Sequence, residues 1–264
     1  QSTKLLDGEE VNAYFAEDIT LDEIKQLRAV QSRDYRNQEY NGEFEIPTFK
    51  EVIELVQELS PVVGRNIGIY PETKHPTFFD QQGLSLEEPL VQTLVETGFT
   101  DRSRIFIQSF EVANLLDLRQ NLLPAAGLDD LQLVQLFGDT EGSFINEGGG
   151  GFSVPYDFVV IADLDDAALR DIYGDLVDLI DFSSTPDYSD LANQTVIDFI
   201  SSYADGLGPW KNNILLRESI DTPVDGNGDG EAEITSQLTG EVFPLNDFAH
   251  NAGLQVHPYT LRDE

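Results

Sequence analysis

Three ionisable side chains close a short apolar run in NIGIYPETKHPTFF, residues 66–79: Glu72, Lys74 and His75 follow Ile67, Ile69 and Tyr70. An apolar run of this length, bounded by Gly64 and Pro71, reads as a buried strand. In an α/β protein the carboxyl end of a strand is where ligands sit. A carboxylate and an ammonium two residues apart on an extended backbone point the same way, so Glu72 and Lys74 can face one ligand together. The plain alternative is a surface ion pair, which is worth little energetically.

A second constellation lies in DGNGDG, Asp225 to Gly230, with Glu231 and Glu233 just beyond. Oxygen side chains at Asp225, Asn227 and Asp229 with a glycine in sixth place are what a calcium loop uses, because a hard cation needs several oxygens and a sharp turn. Glu233, in ninth place, can add an oxygen. Ser236 stands where a bidentate glutamate is expected, so the motif is partial, and a flexible acidic turn is the alternative. Of the three histidines, only His75 is near the Glu72 and Lys74 pair. His250 reads as a packing residue beside Phe248, and alternation makes His257 face opposite to Val256. No Ser/His/Asp or phosphate-loop spacing is present.

The elements that must position these residues form a repeating pattern. Thr20 and Glu23 open a helix over about 21–29, and Thr48 and Glu51 open a second to about Leu59 that leads through Pro61 and Gly64 into the opening strand. A helix from Ser85 to Gly98 precedes the strand Ile105–Gln108, and a helix from Val112 to Leu122 precedes Leu131–Phe137. Leu191–Tyr203 leads into Ala204–Leu207. Finally Pro244–Ala252 is a helix with Gly253 at its C-cap, ahead of the strand Leu254–Tyr259. Five helix-then-strand units with short apolar strands predict a parallel sheet with crossover helices. Each strand ends in polar or aromatic residues, which favours a barrel, whose carboxyl ends share one mouth, over an open doubly wound sheet. Two stretches fall outside the repeat. Residues 139–163, with the glycine run Gly148–Gly151 and the β-like Phe158–Ile161, read as an inserted hairpin or lid, and residues 221–243 read as a long acidic loop.

Composition bounds the function. The 264 residues carry 15 Lys plus Arg against 49 Asp plus Glu, a formal charge of −34, which argues against binding a bare polyanion such as nucleic acid. There is no cysteine, hence no disulfide framework, thiolate metal site or cysteine nucleophile. No apolar run approaches the roughly 20 residues of a membrane span.

Taken together, EDITLDEIKQLRAVQSRDYR, IPTFKEVIEL, IGIYPETKHPTFF, IFIQSF, LQLVQLF, YADGLGPWK and AHNAGLQVHPYTLR, in this order along nearly the whole chain, resemble the glycerophosphodiester phosphodiesterase family in its extracytoplasmic, calcium-using branch. The resemblance implies a TIM (β/α)8 barrel of the PLC-like phosphodiesterase type. It also implies metal-dependent hydrolysis of a small-molecule glycerophosphodiester to glycerol 3-phosphate and an alcohol, and a periplasmic or secreted location. It makes Glu72, in Y-x-E-x-K, a ligand of Ca²⁺ or Mg²⁺ and sets Lys74 against the substrate phosphate. Ser109, Trp210 and Tyr259 would line the mouth.

Members begin with a strand ending in His-Arg-Gly, then Glu-Asn-Thr, a Glu-x-Asp pair and a His-Asp pair, which supply the general acid and base and the other metal ligands. None of these is present here. The expectation is therefore a single, N-terminally truncated barrel domain over residues 1–264, with about five of eight strands, and a piece that is inactive alone. The absence of an initiator methionine fits the same expectation. A related phospholipase-type hydrolase, or a non-catalytic calcium-stabilised module, are the alternatives.

Overall fold

The computed structural model describes residues 1–6, 9–140, 153–160, 164–226, 228, 230, 232 and 234–261. At its centre is a parallel sheet whose strands Phe106–Ser109, Gln132–Phe137, Gly206–Pro209 and Gln255–Val256 pair in sequence order. A fifth stretch extends the first edge, because Ile69 bridges Ile105 and Glu72 bridges Gln108, both in parallel. Trp210 bridges Tyr259 in the same sense and lengthens the last pairing. These are the five expected strands, in the expected order. Parallel neighbours need crossovers, and helices supply them, which is the construction of a (β/α)8 barrel.

Alternation along each strand separates two faces. Ile69, Ile107, Leu133, Phe137, Leu207 and Leu254 join one core cluster with the helical residues Leu94, Leu115, Leu123, Ile197 and Ala249. The other face carries Tyr70, Phe106, Leu136 and His257. It curls enough that Tyr70 and His257, on the first and last stretches, touch through a hydrogen bond of 2.8 Å. Side chains on this face pack directly over Gly208, where a Cβ would lie 2.5 Å from Leu136 Cδ2 and 3.3 Å from Val134 Cγ1. Gly208→Ala is therefore expected to cost about 1–3 kcal/mol by overpacking, read as a fall in the urea midpoint with the slope unchanged. An unaltered midpoint would mean that Leu136 has room to move.

The expected helices form, with shifted ends. Thr48 and Glu51 make a reciprocal capping box, and the helix Phe49–Val63 runs through Pro61 to a left-handed Gly64. It outlasts the expected end at Leu59 because tertiary bonds hold its last turn: Ile67 N–H and Arg104 Nη2 each donate to Ser60 Oγ at 3.2 Å. The Thr20 capping box also forms, but its helix stops at Ile24. Leu21, Leu27 and Val30 remain exposed, so little apolar burial supports extension of a marginal helix.

Two stretches differ from expectation. Residues 221–243 are not one loop: Leu215–Val224 and Ile234–Val242 pair as an antiparallel hairpin, leaving only its tip between them. The described part of the supposed lid is helical, Tyr156–Val160. It opens on Pro155, whose carbonyl accepts from Phe158 N–H at 3.0 Å, and Phe158 packs edge-on against Tyr173 and Phe182, each at 5.4 Å. Residues 156–160 are therefore a helix packed on the core where a β-like segment was expected. Gly148–Gly151 and Ile161 lie outside the described residues. No helix among the described residues is long and apolar enough to cross a membrane.

Candidate active site at the carboxyl end of the sheet

Glu72 and Lys74 leave the first stretch on the same side and line a cleft of about 480 Å³ with Tyr70, Gln108, Phe110, Leu136, His257 and Tyr259. The backbone between them is fixed from behind. Thr73 N–H donates to the Gln108 carbonyl at 3.1 Å, and the Thr73 hydroxyl donates to Asn114 Oδ1 at 2.7 Å. The buried Ser109 hydroxyl donates to the Thr73 carbonyl at 3.1 Å. The two side chains are thus presented by a short rigid segment, as a site that must hold geometry requires.

The Glu72 carboxylate is open to solvent yet recessed among the cleft atoms. That desolvation raises its pKa, and the Lys74 ammonium partly offsets the rise. Tyr259 is a pinned wall: its hydroxyl donates to the Phe137 carbonyl at 2.7 Å and its ring meets Phe110 edge-on at 5.9 Å. Burial raises its pKa, with smaller contributions from the Glu72 and Asp139 carboxylates. The phenol therefore stays neutral and serves as shape and hydrogen-bonding surface.

Three expected site residues stand elsewhere. Ser109 is fully buried because it is one position out of step with Gln108, the residue of that strand whose side chain reaches the cleft. Ser109 acts on the site through the Thr73 carbonyl. Trp210 is half-buried beside Tyr259 and is not among the residues lining the cleft. His75 turns away in a left-handed conformation, φ 50°, and its ring packs on Tyr156 at 5.3 Å. Gln108, one of the polar strand ends the sequence shows, does line the cleft, whereas sequence reasoning missed Phe110 and His257. The alternation that set His257 opposite to Val256 was the available signal. His250 is exposed on its helix instead of packed.

At the hairpin tip, Asp225 spends its carboxylate on the turn itself. Gly228 N–H and Gly230 N–H donate to its two oxygens at 2.5 and 2.9 Å. Asn227, Asp229, Glu231 and Glu233 lie outside the described residues. Among the described residues, no group of three or more His, Asp or Glu is arranged to hold a metal. In the cleft, Glu72 is a hard oxygen donor fit to be one ligand among several, with no hydrogen bond engaging it among the described residues.

Residues 4–143 match the glycerophosphoryl diester phosphodiesterase family. The chain is 28% identical over 270 residues to a glycerophosphodiester phosphodiesterase of Arabidopsis thaliana, covering 97% of this chain and 55% of the relative. It is 31% identical over 265 residues to a glycerophosphodiester phosphodiesterase of Haemophilus influenzae, covering 95% and 60%. A glycerophosphodiester phosphodiesterase of Treponema pallidum is 28% identical over 123 residues, 42% of this chain and 35% of the relative. The chain therefore spans little more than half the length of the first two. With the Glu72 and Lys74 cleft at the carboxyl end of a parallel sheet, the match over residues 4–143 means that this chain belongs to the glycerophosphoryl diester phosphodiesterase family.

Proposed function

We propose that this chain carries the phosphate-facing half of a site that hydrolyses glycerophosphodiesters to glycerol 3-phosphate and an alcohol. The observation that carries the reading is the shared cleft of Glu72 and Lys74 at the carboxyl end of the first stretch. Lys74 presents a point charge to the phosphoryl oxygens and stabilises the extra negative charge that develops as water adds to phosphorus. Glu72 offers one oxygen to a divalent cation, Ca²⁺ or Mg²⁺, which when bound would polarise a phosphoryl oxygen. Tyr259 and Phe110 shape the wall and exclude water from one side.

Attack by water on phosphorus also needs a base for the water proton and an acid for the leaving alcohol. The sequence contains no His-Arg-Gly or His-Asp motif, so these 264 residues alone are expected to turn over near background. The product of the full open reading frame should release glycerol 3-phosphate from a glycerophosphodiester in a chelator-sensitive way. In that product Lys74→Ala should lower kcat/KM by about 10²-fold, the cost of removing one preorganised charge-stabilising group. Wild-type turnover in the Lys74 variant would sink the assignment.

For the Asp225 tip the proposed ligand is a structural Ca²⁺. A chelator should lower the melting temperature of the wild type by clearly more than that of Asp225→Ala, which keeps only the cation held at Glu72. An equal shift in both would locate the stabilising cation elsewhere.

A further inference from the structure

His257 occupies the cleft opposite Tyr70, half-buried, and two rings fix its plane: Tyr70 edge-on at 5.7 Å and Phe106 edge-on at 5.0 Å. One ring nitrogen, Nδ1, is 2.8 Å from the Tyr70 hydroxyl. Among the described residues the other, Nε2, has no hydrogen-bond partner, although the ring lines the same cleft as Glu72 and Lys74. A neutral imidazole carries its proton on one nitrogen and accepts on the other, and the neighbour decides which. When the phenol donates to Nδ1, the ring proton sits on Nε2 and becomes a donor.

We propose that His257 is a substrate-binding residue whose Nε2–H donates to a phosphoryl oxygen of the anion that Lys74 holds, with Tyr70 as the positioning residue that fixes the tautomer. The inference rests on the phosphodiester reading above. The ring is half-buried between the Tyr70 and Phe106 rings, which disfavours the charged imidazolium, and a phenol keeps its proton at neutral pH, so the bond joins two neutral groups. A neutral donor is suited to a cleft that already holds a lysine, because it adds direction without further charge. Beside His257 the cleft is lined by Phe110, Leu136 and Pro258, which offer no N–H from their side chains.

The test is a titration of the full open-reading-frame product with glycerol 3-phosphate in the presence of calcium, followed by calorimetry and by imidazole ¹⁵N resonances. Glutamine carries an amide near the place of Nε2, and asparagine carries one near Nδ1. His257→Gln should keep most of the affinity, His257→Asn should bind about 10-fold more weakly, the loss of one hydrogen bond to a charged group, and in the wild type Nε2 should shift on binding. The reverse order, with asparagine tight and glutamine weak, would make His257 a structural partner of Tyr70 and overturn the proposal. So would an unmoved Nε2 resonance in the wild type, whatever the variants do. Lys74→Ala separates the two readings: if it binds as tightly as the wild type, the phosphodiester reading itself fails. If it weakens binding while both His257 variants match the wild type, only the role of His257 falls.

Discussion

Glu72→Gln is expected to remove the chelator-sensitive part of diesterase activity, a loss of at least about 10²-fold, more than remote support of a metal site usually costs. Glutamine keeps the length of the side chain and one oxygen, so shape is preserved while charge is lost. Folding should be unaffected, since the carboxylate is at the cleft surface and makes no hydrogen bond among the described residues. The second readout is independent of turnover. A cation bound only by the folded state at about 100 times its Kd adds roughly 2.7 kcal/mol of stability, so Ca²⁺ should raise the melting temperature of the wild type more than that of Glu72→Gln. The rise should weaken toward acid pH sooner than for an ordinary glutamate, because recession in the cleft already raises the Glu72 pKa. Equal activity and equal cation response in the two proteins would remove Glu72 from the site.

The parts of this site that were legible in the sequence are those set by local spacing. Glu72 and Lys74 share a face because residues two apart on an extended chain must, and the five strand stretches were visible as short apolar runs between helical patterns. Ser109 entered through the family resemblance; period-two alternation gives it and Gln108 to opposite faces, and IFIQSF alone does not say which face is the cleft. Tertiary context decided the rest. The hairpin over 215–242 was hidden because its strands are polar and mostly exposed, leaving little hydrophobic contrast to read. Leu191–Tyr203 has the apolar spacing of one helix, but Asn193 interrupts it by capping the next segment, accepting from Val196 N–H at 3.1 Å. Thr73, Ser109 and Asn114 come from three segments, and no local pattern announces that they brace one peptide.

Glu111→Gln is expected to stabilise the protein at neutral and alkaline pH, although it removes a charge. Glu111 and Asp157 are both about 1% exposed. Glu111 Oε2 accepts from Thr77 N–H at 3.0 Å and from the Thr77 hydroxyl at 2.5 Å. Asp157 Oδ2 accepts from Ala113 N–H at 2.9 Å and from the Tyr173 hydroxyl at 3.1 Å. Glu111 Oε1 and Asp157 Oδ1 have no partner among the described residues. Burial pushes both carboxyls upward, and the neighbouring Asp157 charge adds to the rise at Glu111. The folded state therefore holds a proton that the unfolded chain gives up above about pH 4.3. Stability from this pair is complete below the unfolded pKa values and is lost as pH rises toward the raised folded value of Glu111. A glutamine there is neutral at every pH, can accept from Thr77 through its oxygen and can offer an N–H to Asp157. Its advantage should be absent near pH 4 and grow to roughly 1–3 kcal/mol by pH 8, the usual cost of a buried polar group left unsatisfied. Glu111→Ala should behave oppositely, losing about 3 kcal/mol by leaving the Thr77 donors unpaired and opening a cavity beside a buried charge. Urea unfolding of the three proteins from pH 4 to pH 8 tests both expectations, and parallel pH profiles for wild type and Glu111→Gln would mean that the pair holds no shared proton.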